Sequence, residues 1–290
     1  MACFLLNPGV DAMTDIYISA SLLALALVAR ISYAARLVKI GRARFARVDA
    51  AGNSPLLSKT TMEATYWTLA PFVRWLVRMH VTANTVTFVS LLLGLSAGAA
   101  ACADHLGIAA FLAAASALCD AIDGFVARES GSASPAGETF DASADRYNEF
   151  FLLGGIALGH HSGRVWLALA LLALQGSFMV SYGSARAQGL GVEAPRGSMR
   201  RPERAALLTA GCALTPLSQA LAAHFFPAAG WLLSELPLAA ALFTVSVGAN
   251  VSAVRRLIRI GQLASEGVTR PQRKPATRLP ASQPAIRVAG

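Results

Sequence analysis

Charged residues are scarce in this chain. Only 14% of its 290 residues are Asp, Glu, Lys or Arg, whereas 55% are hydrophobic. Soluble domains carry about 25% charged residues, so a water-soluble enzyme of this length would lack the polar surface it needs. The same apolar content excludes a disordered chain. The four cysteines are scattered and form no CxxC pair, which excludes a disulfide scaffold and a cysteine metal site. A polytopic membrane protein remains.

Acidic residues are fewer than basic ones, 16 against 25, and the net charge is +9. In so apolar a chain this excess indicates basic cytoplasmic loops rather than a nucleic-acid partner. Lys and Arg cluster before the first core span, between the fourth and fifth, and after the sixth, whereas the opposite loops contain only Arg164. We therefore expect both ends of the core to face the cytoplasm, in a bacterial inner membrane.

Six stretches have about the length of a membrane span. They cover residues 83–103, 106–128, 138–160, 165–186, 204–225 and 237–254. Residues 57–80 before them mix aromatic and basic side chains, a pattern typical of a helix at the membrane surface. The predicted fold is an all-α integral membrane protein, a six-transmembrane-helix bundle preceded by this interfacial helix, with an additional N-terminal helix.

The N-terminal helix is predicted over residues 15–35. Its apolar sequence fits a further span, but Arg30 also allows it to lie in the interface. We divide the chain into an N-terminal helix and basic linker (1–56), a membrane domain (57–260) and a basic disordered tail (261–290).

Four aspartates lie where the second predicted span ends and the third begins. Ionisable residues in a span are costly and mark functional sites by default. At about 100° per residue, Asp120 and Asp123 share one helical face, and Asp141 and Asp145 share one face of the next helix. The short loop between them makes the two helices antiparallel neighbours. The four carboxylates therefore converge, which polar residues merely pairing between helices would not explain.

Four negative charges at one point repel one another unless cations neutralise them. Oxygen ligands indicate hard Mg²⁺ or Mn²⁺. Gly124 and Gly137 leave room for a bulky group beside the metals, and Arg128 can bind a phosphate oxygen. Metals, arginine and glycines together indicate a diphosphate site and phosphoryl-type transfer.

The residues of this region form the pattern DxxDGxxAR, eight further residues, then GxxxDxxxD, from Asp120 to Asp145. This pattern resembles the signature of the CDP-alcohol phosphatidyltransferase family at every defined position. The resemblance implies an enzyme of phospholipid biosynthesis that transfers a phosphatidyl group from CDP-diacylglycerol to a small hydroxyl acceptor and releases CMP.

The resemblance also implies residue roles. Asp120, Asp123 and Asp141, with help from Asp145, would hold two Mg²⁺ or Mn²⁺ ions, and Asp145 would be the general base. The CDP-lipid would be contacted by Gly124, Ala127, Arg128, Ser134, Gly137, Asn84 and Thr87. For Asn84 and Thr87, a helix N-cap is an equal alternative.

The acceptor is less clearly specified. Arg186 and Arg204 resemble residues that bind the acceptor phosphate in members with phosphorylated acceptors, although Ser184 stands where those members often carry Lys. The arginines favour glycerol 3-phosphate or an inositol phosphate. Unphosphorylated inositol or serine remains an alternative, in which case the arginines serve topology.

Other classes of protein fit less well. A divalent-cation transporter would place its acids near the midplane on broken helices between repeats, and no repeat is evident. An inactive scaffold would have lost aspartates, and none is missing. Gly94 and Gly98 permit close packing within the chain or a homodimer. Glu149, one turn beyond Asp145, would either order the metal site or pair with another span.

Overall fold

The computed structural model describes residues 8–43, 45, 48, 58–159, 163–193, 197–225 and 233–266. Most of the predicted tail and much of the predicted basic linker lie outside these residues. The described part consists of helices without strands. Its eight helices are α1 (Pro8–Lys39), α2 (Lys59–Arg78), α3 (Ala83–Cys102), α4 (Leu106–Glu129), α5 (Pro135–Gly159), α6 (Arg164–Gly189), α7 (Arg201–Phe225) and α8 (Leu236–Ser265).

Six of these helices are long and apolar enough to cross a membrane: α1 from Ala12 onward, α3, α4, α6, α7 and α8. The chain is thus an all-α integral membrane protein. The six differ from the predicted set, because α1 belongs to them and α5 does not. Helix α5 falls short in apolar length because it carries five charged residues, most of them in its first half. It still packs inside the bundle, between α3 and α6.

Glycines bring α3 and α5 into close contact. A Cβ atom on Gly98 would lie only 3.0 Å from the Cβ of Phe151, and one on Gly155 would lie 2.8 Å from the carbonyl carbon of Gly98. Gly94 lies against the side chain of Asn148 in the same way. The Gly94–Gly98 pair therefore packs within the chain, the first of the two alternatives predicted for it.

Helix α2 is amphipathic, as the sequence indicates. Ser58 caps its first turn by accepting a hydrogen bond of 3.2 Å from the backbone N–H of Thr61. Val73 and Leu76 are buried against α4, whereas Phe72 and Trp75 are exposed and stack on each other with ring centroids 5.7 Å apart. An apolar inner face and an aromatic outer face suit a helix at a membrane surface.

The helix boundaries differ from the prediction mainly in the first and the last helix of the chain. Helix α1 begins at Pro8 and ends at Lys39, several residues beyond the predicted 15–35 at each end. Helix α8 continues to Ser265, about three turns past the predicted span. It packs against α6 and α7 around a core that includes Leu238, Leu242 and Val245. Helix α6 in turn contacts α5, and α7 contacts α4.

Candidate active site

Three of the four aspartates meet where α4 ends and α5 begins, the acidic end of the bundle. Carboxylate oxygens of Asp120, Asp141 and Asp145 all lie within 4.8 Å of one another. Asp123, one turn after Asp120, is buried, with 4% of its surface exposed. The convergence predicted for four carboxylates is thus present for three of them, whereas Asp123 reaches toward a third helix.

The loop between α4 and α5 is short, and hydrogen bonds at both of its ends stabilise it. The hydroxyl of Ser130 donates to the carbonyl of Val126 at the end of α4 (2.8 Å). Gly131 has φ +68°, the left-handed conformation that favours glycine at a helix end. The hydroxyl of Ser134 then accepts the N–H of Gly137 in the first turn of α5 (3.1 Å). The chain therefore reverses at once, and the acids of α4 and α5 face each other.

Helix α3 supplies two of the predicted donor-site residues. Thr87 donates a hydrogen bond of 2.7 Å to Oδ2 of Asp123. Asn84 is exposed, and a Cβ atom on Gly137 would lie 3.4 Å from its Oδ1. The N-cap of α3 is Thr82, which accepts from the N–H of Thr85. Asn84 and Thr87 are therefore not cap residues, and the alternative interpretation of them is wrong.

Gly124, Ala127 and Arg128 follow the acids on α4. A Cβ atom on Gly124 would lie 3.1 Å from Nη1 of Arg128, so the guanidinium folds back over the glycine. Arg128 is exposed and Ala127 is half-buried. The absence of a side chain at Gly124 thus lets a cationic group lie close to the backbone beside Asp123.

Arg201, in the first turn of α7, was not among the predicted site residues. Its Nη1 forms ion pairs with Asp120 and with Asp145, the latter at 2.6 Å. The sequence places Arg201 in a basic run that topology alone explains, and only the packing of α7 against α4 brings it to the acids. It contributes a positive charge in direct contact with two of the four aspartates.

Arg204 and Glu149 form a buried pair one turn further into the bundle. Nε of Arg204 donates to Oε1 of Glu149 at 2.9 Å, and Nη1 donates to the carbonyl of Met199 at 2.7 Å. Only 1% of Arg204 is exposed. Glu149 thus pairs with another span, the second alternative for this residue. Arg186, the other predicted acceptor residue, is exposed in the last turn of α6.

Arg256 of α8 is a further buried cation that the sequence analysis did not single out. Its Nη1 donates to the hydroxyl of Ser184 on α6. The guanidinium also lies against the segment that leads into Arg200 and Arg204, because a Cβ atom on Gly197 would lie 3.3 Å from its Nη2. Within the described part of the chain, Nε of Arg256 has no hydrogen-bond acceptor. We call Arg200, Arg204 and Arg256 the arginine cluster.

A small crevice, with a cavity volume of about 50 Å³, lies beside Arg201 of α7. Arg201 and Glu149 line it, and so do small residues of α3 and α4 such as Gly94, Ala97 and Ala117. The site therefore adjoins free space inside the bundle.

The chemistry of the site follows from these groups. Three carboxylates offer hard oxygen donors within a few ångströms, the ligand set that Mg²⁺ or Mn²⁺ prefers. Arginines on two sides of the acids are suited to bind phosphate oxygens through several N–H groups. A half-buried acid cluster between arginines, at one end of a membrane bundle, is typical of a membrane-embedded enzyme for phosphate-group transfer.

Comparison with known proteins identifies the family. A sequence model of the CDP-alcohol phosphatidyltransferase family matches residues 80–249, more than half of the chain. The chain belongs to this family, and it is a transferase of phospholipid biosynthesis.

Relatives with assigned names support this membership. The phosphatidylinositol phosphate synthase of Corynebacterium glutamicum is 30% identical over 199 residues, which cover 66% of this chain and 83% of the relative. The archaetidylinositol phosphate synthase of Methanothermobacter thermautotrophicus is 30% identical over 185 residues, or 64% and 86% of the two chains.

Solved structures show the same fold. The phosphatidylinositol phosphate synthase of Mycobacterium tuberculosis with CDP-DAG bound has a TM-score of 0.56 and 25% identity, covering 66% of this chain and 92% of its own. A second structure of that enzyme, in complex with manganese and citrate, has the same TM-score and identity and covers 66% and 88%.

Proposed function

We propose that this enzyme transfers the phosphatidyl group of CDP-diacylglycerol to a phosphorylated inositol and releases CMP. The observation that carries the acceptor is the arginine cluster beside the acidic end of the bundle, where Arg256 reaches Ser184 and Arg204 pairs with Glu149. The names of the relatives point the same way, since two of them are synthases of inositol phosphate lipids. The CDP-DAG bound to the Mycobacterium tuberculosis enzyme supports the donor.

Asp120, Asp123, Asp141 and Asp145 would hold two divalent cations. The meeting of three carboxylates fits this role, and the manganese complex of the Mycobacterium tuberculosis enzyme supports it. When bound, Mg²⁺ or Mn²⁺ neutralises the diphosphate and stabilises the departing CMP.

The chain's own residues position the donor. Gly124 leaves the backbone of α4 open, and Arg128 lies over it to contact a phosphate oxygen. Ser134, Gly137 and Asn84 surround the adjoining turn where α5 begins. Thr87 holds the carboxylate of Asp123 in one orientation. Ala127 adds no bulk on this face, so the CDP group has room beside the acids.

Asp145 would act as the general base. Its carboxylate removes the proton from the acceptor hydroxyl, whose oxygen then attacks the phosphorus bound to diacylglycerol. A new P–O bond forms to the acceptor, the P–O bond to CMP breaks, and the negative charge leaves on CMP. Arg201 contacts both Asp145 and Asp120 and fixes the orientation of these carboxylates.

The acceptor phosphate would bind the arginine cluster, with Arg186 at its edge. Ser184 stands where members with phosphorylated acceptors often carry Lys, but Arg256 reaches the Ser184 hydroxyl from α8 and puts a cation there instead. Arg204 has donors committed to Glu149 and Met199, which supports a positioning contribution from this residue. The basic residues at the acidic end of the bundle support a cytoplasmic site in a bacterial inner membrane.

The experiment is an acceptor panel. Purified protein is incubated with CDP-diacylglycerol, Mg²⁺ and either an inositol phosphate, glycerol 3-phosphate, inositol or serine, and the lipid product is identified by mass spectrometry. We expect a phosphatidylinositol phosphate with equimolar CMP, no product after EDTA treatment, and recovery with Mg²⁺ or Mn²⁺. A product with inositol or serine alone would refute the phosphorylated acceptor. If none of the acceptors supports CMP release, the proposed transfer itself is refuted.

A further inference from the structure

Helix α1 lies before residues 80–249, the part of the chain that matches the family. It is nevertheless integrated into the bundle, because it contacts α2, α4 and α7. Its two ends make specific polar contacts at opposite ends of α4, one directly and one through α2.

The first end of α1 caps α4. His105, the N-cap residue of α4, makes no capping bond with its own side chain. Asp15 of α1 supplies one instead, because its buried Oδ1 accepts the N–H of Ile108 at 3.0 Å. A Cβ atom on Gly107 would lie 2.8 Å from Cα of Asp15, so the two backbones are in direct contact. Helix α4 thus takes its N-terminal cap from α1.

The other end of α1 holds α2. The hydroxyl of Tyr33 donates to Oε2 of Glu63 at 2.9 Å, and Nε of Arg42 donates to the same oxygen at 3.2 Å. Glu63 and Tyr33 are 2% and 1% exposed. A second bond joins the helices nearby, from Arg30 to the Thr61 hydroxyl at 3.1 Å. A buried carboxylate with two donors is a specific junction rather than a loose contact.

Helix α2 connects this junction to the end of α4 that carries Asp120 and Asp123. The ring of Tyr66 lies 5.5 Å from that of Phe125, centroid to centroid. Phe125 and Val126 are buried in the same cluster as Tyr33 and follow directly after Asp123 and Gly124. The second end of α1 therefore supports α4 behind its donor-binding residues.

The contact points on α1 are separated by the same number of residues as the regions of α4 that they support. Asp15 and Tyr33 are 18 residues apart on α1, and Ile108 and Val126 are 18 residues apart on α4. Each interval is about 27 Å at 1.5 Å per residue. Because α1 also contacts α4 directly, the two helices run in the same direction, and a shift of α4 along its axis would disturb the Asp15 bond at one end and the contact through α2 at the other.

We infer that α1 is a positioning helix: through Asp15 and the Tyr33–Glu63 junction it fixes the axial position of α4. That position sets the separation between Asp120 and Asp123 on α4 and Asp141 and Asp145 on α5. The inference rests on the proposed function, because it treats the acid cluster as the metal site. It assigns to residues outside the matched region an effect on metal affinity that acts through the position of α4.

The test is a Mn²⁺ titration of purified full-length protein, followed by electron paramagnetic resonance. Asp15→Ala removes the cap and is expected to weaken Mn²⁺ binding roughly tenfold, a typical loss when a residue that orients metal ligands is changed. Asp15→Asn keeps a capping oxygen and should stay within about twofold of the unmodified protein. Tyr17→Ala, on the exposed side of α1, is the control and should change nothing.

A second set of variants tests the other end, so that a poorly folding Asp15 variant does not decide the matter. Glu63→Gln loses the ion pair with Arg42 and should also weaken Mn²⁺ binding, whereas Arg74→Gln on the exposed face of α2 should not. If Asp15→Ala and Glu63→Gln lower only the melting temperature and bind Mn²⁺ like the unmodified protein, the inference is overturned. Failure of the unmodified protein to bind Mn²⁺ would overturn the proposed metal site, and this inference with it.

Discussion

Thr87 and Asp123 connect α3 to α4 inside the acid cluster: the Thr87 hydroxyl donates a 2.7 Å hydrogen bond to Oδ2 of Asp123. Both residues are buried, with 3% and 4% of their surfaces exposed. A buried carboxylate depends on such a donor, because an unsatisfied polar group costs about 1–3 kcal/mol. The bond also fixes which way the Asp123 oxygens point.

Thr87→Val should therefore impair the site with little change in shape. Valine has nearly the volume of threonine but lacks the hydroxyl, so Asp123 loses its donor from α3. We expect Mn²⁺ affinity and the rate of CMP release to fall roughly tenfold. Thr87→Ser restores a hydroxyl and should recover most of both. Equal behaviour of the valine and serine variants would show that the hydrogen bond does not matter.

Asp145→Asn should stop turnover while the lipid donor still binds. The amide cannot take the proton from the acceptor, and loss of a general base costs about 10²- to 10⁴-fold in rate. The measurement is CMP release in a single turnover, paired with retention of CDP-diacylglycerol on the purified protein. Glu138→Gln, an exposed acid on the same helix, serves as control. Full turnover by Asp145→Asn would remove this residue from the catalytic role.

The acid cluster was predictable because helical spacing is local. Asp120 and Asp123 lie on one turn of α4, and Asp141 and Asp145 lie one turn apart on α5. The short loop between the helices brings their acidic faces together. The bundle itself was predictable for a similar reason, since length and apolar content define a span. The N-terminal helix could not be placed from the sequence, because its packing depends on Ile108 and Glu63, which are far along the chain.

The arginines show where local reasoning ends. Arg201, Arg204 and Arg256 all fit the positive-inside rule, and the family resemblance extends only to Arg204. Only the packing of α5 against α7, and of α6 against α8, brings Arg201 to Asp145, Arg204 to Glu149 and Arg256 to Ser184. A side chain's partner on a distant helix is set by tertiary packing, which a single sequence does not reveal.

Arg256→Gln should weaken binding of the acceptor and leave binding of the lipid donor unchanged. If Arg256 binds the acceptor phosphate, its loss should raise the KM for an inositol phosphate by roughly 10- to 100-fold, as expected for a hydrogen bond to a charged group. The KM for CDP-diacylglycerol should stay unchanged. Arg255→Gln, the exposed neighbour, is the matched control. A parallel rise in both KM values would indicate a general disturbance of the site instead.

Two adjacent glycines of α5 should respond oppositely to alanine. A Cβ atom on Gly155 would meet the backbone of Gly98, whereas one on Gly154 would meet nothing within 4 Å. Gly155→Ala should destabilise the protein by about 1–3 kcal/mol through overpacking. Gly154→Ala should be neutral or stabilising by up to about 1 kcal/mol, because alanine favours a helix. Thermal unfolding in detergent distinguishes them, and similar melting temperatures would contradict the close packing of α3 and α5.

Glu149→Leu should be strongly destabilising, because it leaves the Arg204 guanidinium buried without its carboxylate. Breaking a buried ion pair from one side costs about 3–5 kcal/mol, whereas replacing both partners by apolar residues can be nearly neutral. Glu149→Leu combined with Arg204→Met should therefore be more stable than Glu149→Leu alone, although the Met199 carbonyl still loses its donor. Chemical denaturation of both single variants and of the double variant measures the coupling between the two side chains. Additive losses would mean that the two side chains act independently, contrary to the ion pair that joins α5 to α7.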